Sequence, residues 1–250
     1  MPAPLSCTTD MTGQVAFVTG GARGIGAAVC RTLADAGVDV AAGDLRDCAA
    51  TVADAEARGR RAMALEVDVT DRAAAAAAVD RIVEDFGRLD ILVCCAGIMP
   101  KGGMEVGTGQ WERVHKVNVD GTYYCIAAAW PHMVAAAYGK IVTIASMAAH
   151  QGGLAIGPEY STSKGAVVAL TRHTARNGGP HNIYCNTVSP GVIATELNAD
   201  FNKPPLDAIP LGRIGDPEDV AEPVRFLCSP ASNYVTGAVL PISGGIFFGL

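Results

Sequence analysis

Charge is scarce in this chain: 18% of its 250 residues are charged, no block of one sign occurs, and the formal net charge is −6. That balance excludes a duplex-binding surface, which would be basic. Half the residues are hydrophobic, which excludes a disordered chain. Neither a CxxC pair nor a Cys/His set with zinc spacing is present, so the eight cysteines point to no structural metal. Met1 to Thr12 is polar and lacks the apolar core of a signal peptide, so residues 1–12 read as a loose tail. The expected location is cytoplasmic, with the thiols reduced. Gly121 to Tyr138 carries no formal charge over nearly a membrane-spanning length. Pro131 and His132 interrupt it, and it reads instead as a helix buried on most sides.

What is present is an alternation. Short apolar runs at 14–19, 38–42, 62–67, 89–95, 140–145, 183–188 and 238–242 have the character of buried parallel strands. Helical spacing fills most of the intervals, over 25–36, 48–59, 71–86, 110–137, 157–176 and 216–227. The six alanines at 73–78 belong to a helix, because Val79, Ile82, Val83 and Phe86 continue its apolar stripe. With no proline-rich linker between units, residues 13–250 form one α/β domain. Its expected architecture is a single doubly wound, Rossmann-type parallel sheet with helices on both faces. Ligands of such sheets lie beyond the carboxyl ends of the strands. Thr19, Asp44, Asp68, Cys95, Ser146 and Ser189 all fall at expected strand ends, along one rim.

Three features on that rim carry chemistry. Thr19-Gly-Gly-Ala-Arg-Gly-Ile-Gly26 joins the first strand to the first helix, with glycines at 20, 24 and 26. These allow a tight turn, close approach to a pyrophosphate, and use of the helix N-terminus as its anion site. Asp44, about 20 residues further on, suits an adenosine ribose diol and opposes a 2′-phosphate, a repulsion that Arg23 and Arg46 soften. The expected cofactor is therefore NAD rather than NADP. Finally, Tyr160 and Lys164 are one helical turn apart on the same face. An ammonium there favours the phenolate; a base near neutrality needs the tyrosine lowered by about 3 units, roughly 4 kcal/mol.

Taken together, Thr-Gly-(x)3-Gly-x-Gly, Asp68-Val69, Ala96-Gly97, Asn118, Ser146, Tyr160-(x)3-Lys164 and Pro190-Gly191 resemble the short-chain dehydrogenases/reductases in order and spacing. The resemblance runs from about residue 13 to the C-terminus. It implies that Tyr160 is the general acid/base, that Lys164 lowers its pKa and holds the nicotinamide ribose, and that Ser146 positions the reacting oxygen. Asn118 would hold a water of a proton relay behind the lysine. Asp68 and Val69 would flank adenine, and Thr195 would hold the carboxamide. The rest of the implied dinucleotide site is Gly20, Arg23, Gly24, Ile25, Gly26, Asp44 and Leu45 on one side, and Cys95, Ala96, Gly97, Pro190, Gly191 and Ile193 on the other. The chain departs from the family at Cys94-Cys95, where two asparagines that brace the sheet are usual; side-chain bracing there is in doubt.

The implied activity is hydride transfer between a secondary alcohol or ketone and NAD. A 3-oxoacyl thioester reductase using NADPH is the runner-up, and Asp44 weighs against it. A non-catalytic dinucleotide sensor is the alternative of another class, opposed by the intact Asn118, Ser146, Tyr160 and Lys164. Residues 194–210 should roof the substrate, offering Leu197, Phe201, Pro204 and Pro205 with Glu196 and Lys203. Met99, Ala148, His150, Gln151 and Leu154 are further candidates, His150 reading more readily as a solvated loop residue than as a ligand. The apolar helices around 121–138 and 157–176 and the apolar C-terminus suggest a homotetramer.

Overall fold

The structure, a computed structural model, describes residues 9–153, 156–198, 201 and 204–248. Leu154 and Lys203, both suggested for the substrate pocket, lie outside the described residues, as do positions 1–8 of the tail.

β1 (Val15–Thr19) consists of five buried residues, because helices cover the sheet on both faces. β2 (Asp39–Asp44) and β3 (Ala62–Glu66) extend the sheet on one side; β4 (Ile91–Cys94), β5 (Gly139–Ile144), β6 (Ile183–Pro190) and β7 (Val239–Ile242) extend it on the other. The spatial order is β3-β2-β1-β4-β5-β6-β7, every pairing parallel. Strand order reverses between β1 and β4, and a ligand crevice forms at such a reversal.

α1 (Gly24–Asp35) and α2 (Ala49–Glu56) connect the first three strands. α3 (Arg72–Phe86) begins at Asp71, whose carboxylate accepts from the N–H groups of Ala73 and Ala74, and ends at left-handed Gly87. Its alanine run lets it lie close against a helix from the next crossover. That crossover, expected as one long helix, is three pieces: α4 (Thr108–His115), a π-helical turn (Lys116–Asp120) and α5 (Gly121–Ala136). The charge-free stretch buries Cys125, Ile126, Ala129 and Met133, while Tyr123 stays exposed. After β5 come the short α6 (Ala148–Gln151) and the long α7 (Pro158–Gly178), whose proline occupies the first turn, where no N–H is missed. α8 (Pro217–Cys228) opens with a reciprocal cap between Asp216 and Asp219 and packs against α1.

β6 runs two residues further than its apolar pattern suggests, so Ser189 and Pro190 are strand residues. Two single 3-10 turns, Glu196–Asn198 and Leu206–Ala208, mark the segment that follows.

One buried carboxylate locks the central strands. Asp90, 3% exposed, accepts from Val15 N at 2.9 Å and from Arg88 Nε and Nη2, both at 2.7 Å. Asp90→Ala strands a backbone donor at the start of β1. It should lower unfolding stability by about 2–4 kcal/mol in urea titration.

Candidate active site

The glycine loop is shaped by a close approach. Gly20 has φ +69°, and a Cβ on it would come within 2.8 Å of Ala96 N. Thr19, one residue earlier, accepts from Cys95 N at 3.2 Å and Ala96 N at 3.3 Å through Oγ1. Thr51 of α2 donates to Gly21 O at 2.9 Å, holding the loop from below. Thr19 thus supplies a side-chain brace exactly where the cysteine pair put bracing in doubt. Cys94 Sγ makes only a long contact to Thr122 O, 3.9 Å. Burial raises both thiols, Cys95 to about 12, so neither is a thiolate near neutral pH. The seven described cysteines are all free.

A cavity of about 380 Å³ runs along the rim at the strand-order reversal. One end is walled by the glycine loop, Asp44, Leu45, Asp68 and Val69; Cys95, Ala96 and Gly97 form its middle. Ser146, Tyr160 and Lys164 border the other end, and Pro190, Gly191, Ile193 and Thr195 also line the cavity, Thr195 reaching back to Gly24 of the glycine loop. Every residue assigned to a dinucleotide from the sequence borders this cavity. Asp44 is oriented by backbone donors: Ala22 N reaches Oδ2 at 3.2 Å and Arg46 N reaches Oδ1 at 3.1 Å. Asp68 Oδ1 accepts from Thr70 N at 2.9 Å.

These residues fit a dinucleotide. Backbone at Gly20 and Gly97 faces the cavity without side chains, and a Cβ on Gly97 would stand 3.3 Å from Asn118 Oδ1 and 3.5 Å from Lys164 Nζ. The glycine loop ends at the N-terminus of the twelve-residue α1, a place for a pyrophosphate. Ser146 and Tyr160 stand at the opposite end from Asp44, as adenosine and nicotinamide ends require.

α7 delivers Tyr160 and Lys164 to one wall, both nearly buried at 6% exposure. Lys164 Nζ donates to Ile144 O at 2.7 Å and lies 5.7 Å from the Tyr160 ring centre. Burial lowers its pKa to about 8, against smaller upward pulls from Cys95 and Cys94. Burial pushes Tyr160 up to about 12, partly offset by a hydrogen bond from Ser146. A neighbouring ammonium by itself would lower the tyrosine. Desolvation wins instead, because both groups lose water and the ammonium lies 5.7 Å from the ring centre.

Asn118 stands behind this wall. Its place in the π-turn aims the side chain inward: Oδ1 accepts from Ile98 N at 2.9 Å, and Nδ2 donates to Ile98 O and Ser163 Oγ, both at 3.0 Å. Its carbonyl accepts from Thr122 Oγ1 at 2.8 Å. The side chain therefore clamps the loop after β4 onto α7. Ser163, which the sequence reading passed over, is the α7 half of that clamp. A serine one position before the lysine carries no local signal for this.

One further departure concerns the substrate side. His150 is not a solvated loop residue: it sits in α6, stacks on Phe247 at 4.9 Å and bonds Ser189 Oγ at 3.2 Å. Glu159, beside Tyr160, is fully buried and accepts from Gln110 Nε2 at 2.8 Å, tying α4 to the start of α7. Leu197 and Met99 border the cavity, and Phe201 receives the Lys101 ammonium over its ring at 5.8 Å.

The family model described as enoyl-(acyl carrier protein) reductase matches residues 20–246. The chain is 40% identical over 274 residues to a cyclohexanol dehydrogenase of a Rhodococcus species, covering 95% of this chain and 97% of the relative. The chain belongs to the short-chain dehydrogenases/reductases. It is an oxidoreductase acting on CH–OH groups. A 2-dehydro-3-deoxy-D-gluconate 5-dehydrogenase of Dickeya dadantii is 36% identical, with 95% and 97% covered. Among solved structures, a short-chain type dehydrogenase/reductase of Mycobacterium marinum superposes with a TM-score of 0.93 at 34% identity, covering 96% of this chain and 98% of that one. Among the described residues no helix is long and apolar enough to cross a membrane.

Proposed function

We propose that this short-chain dehydrogenase/reductase interconverts a small secondary alcohol and its ketone with NAD, and that Tyr160 moves the proton. The observation that carries the reading is the Tyr160 hydroxyl on the wall of a dinucleotide cavity, hydrogen-bonded by Ser146 and with the Lys164 ammonium nearby. Oxidised nicotinamide, when bound, supplies the hydride-accepting carbon and one positive charge. The chain's own groups supply the rest. Ser146 orients the reacting oxygen, Tyr160 donates or accepts its proton, and Lys164 places a cation beside the phenol and the ribose. Asn118 keeps the loop after β4 and α7 in register, its side chain committed to Ile98 and Ser163 and its carbonyl to Thr122.

Asp44 supports NAD over NADP: its carboxylate accepts from a ribose diol and repels a 2′-phosphate. The apolar residues bordering the lid, Leu197 and Met99, favour a small or cyclic alcohol. So do the relatives named for cyclohexanol and for a sugar acid. A homotetramer in the cytoplasm, assembled through the apolar faces of α5 and α7, is part of the same proposal. Light scattering showing a monomer would refute the assembly.

The test of activity is a panel of secondary alcohols, polyols and a 3-hydroxyacyl thioester with NAD and NADP, followed at the absorbance of the reduced cofactor. A cyclic or secondary alcohol should turn over with NAD at least about tenfold better in kcat/KM than with NADP, the equivalent of about 1.4 kcal/mol. Preference for NADP, or for the thioester, would overturn this reading.

A further inference from the structure

Two arginines at the adenosine end of the cavity point at a carboxylate from the lid. Arg23 belongs to the glycine loop, Arg46 follows Asp44 by two positions, and Glu196 opens the first 3-10 turn after β6. All three border the same cavity. Arg23 Nη1 pairs with Glu196 Oε2, and Arg46 Nη1 lies 3.7 Å from that same oxygen. Asp44 is bound into the group from the other side through Arg46 N.

We infer that Glu196 determines cofactor choice, screening Arg23 and Arg46 so that a 2′-phosphorylated dinucleotide finds no free cation beside Asp44. This rests on the NAD site proposed above.

The argument is one of charge. Asp44 and Glu196 offset Arg23 and Arg46, and Asp68 beside them leaves this end of the rim without a surplus cation. A ribose diol is uncharged and is indifferent to that balance. A phosphate monoester brings about two negative charges at neutral pH and needs cations that are not already paired. With Glu196 in place, both arginines are partly spent on a neighbouring carboxylate. Glu196 is two-thirds exposed and Arg46 more than half, and ion pairs so open to water contribute little to folding. The consequence of the pair therefore falls on what binds between its members. The nicotinamide half and the diphosphate are common to both cofactors, so their repulsion by Glu196 cancels in the ratio of the two affinities.

The experiment measures Kd for NAD and NADP by calorimetry on the full chain, for wild type, Glu196→Gln and Glu218→Gln. Glu218 pairs with Arg31 at 2.8 Å away from the cavity and controls for the loss of one negative charge. Glu196→Gln should tighten NADP about tenfold with NAD unchanged within twofold, and Glu218→Gln should move neither. Adding Arg46→Ala to Glu196→Gln should abolish the gain, and raised salt should shrink it. An unchanged ratio overturns the inference. Equal tightening of both cofactors overturns it as well, since Glu196 would then only bar entry to the cleft. Failure of the underlying site looks different: the wild-type chain would bind neither dinucleotide, or would already prefer NADP.

Discussion

Tyr160→Phe should abolish turnover, lowering kcat by about 10³-fold or more, while the Kd for NAD stays within about twofold of wild type. The substitution removes one oxygen and keeps the ring, so the nearly buried side chain still fills its place in α7. Ser146 Oγ keeps its bond from Ala148 N at 3.1 Å, so the loop after β5 stays in position. What is lost is the only proton carrier proposed for the substrate oxygen. General acid–base catalysis contributes about 10²–10⁴-fold, and here hydride transfer without it would leave an alkoxide or an oxocarbenium ion. The measurement is steady-state kinetics paired with a cofactor titration. A dinucleotide sensor would respond to NAD identically with and without the hydroxyl, and retained turnover in the variant would remove Tyr160 from the chemistry. Burial holds the phenol up at about 12, so near neutral pH it starts as an acid rather than a base. Alcohol oxidation should therefore accelerate with rising pH, and ketone reduction should not.

Lys164→Met should inactivate the enzyme and also stabilise the fold, a pair of effects with one cause. Lys164 is an ammonium nearly cut off from water that donates to the Ile144 carbonyl. Loss of that cation should cost about 10³-fold in kcat, as expected when charge placed for the transition state is removed. It should also weaken NAD about tenfold, through the lost ribose contact. On the stability side, burial lowers the lysine from its ordinary 10.5 to about 8. The folded state thus binds fewer protons than the unfolded one between those values, and wild-type stability gains from this group as pH rises through that window. Below about pH 8 the full penalty of a buried charge is present; above 10.5 it is gone. The methionine variant should therefore be more stable by about 1–3 kcal/mol at pH 7, a margin that fades above pH 10. Urea titrations at the two pH values check this. A variant less stable than wild type at pH 7 would show that the Ile144 bond outweighs the desolvation of the charge.

Both experiments turn on residues legible from the sequence, and the reason lies in how local the signals are. Strand and helix periods are set within one element, so Val15–Thr19 and Arg72–Phe86 could be read nearly to the residue. The tyrosine and lysine share a helix face whatever surrounds the helix. A parallel alternation of elements brings strand ends to one rim in any order of strands, so the cavity wall could be named before its shape was known. The long crossover could not be read, because the π-turn at Lys116–Asp120 does not alter a helical apolar stripe. Nor could the strand status of Ser189 and Pro190, which depends on β7 pairing alongside them.

The amino-acid sequence by itself determined the architecture, the residues of the cavity rim and the Tyr160–Lys164 pair proposed to move the proton, since each follows from spacing within a few turns or strands. Only the tertiary structure decided what faces those groups. Thr19 braces the Cys95–Ala96 backbone, Ser163 holds Asn118 across 45 positions, and Arg23 meets Glu196 across 173. Burial of Tyr160 and Lys164 sets their acidity. Hydrogen bonds, ion pairs and desolvation act over a few ångströms in space, and chain folding alone decides which distant residues come within that range.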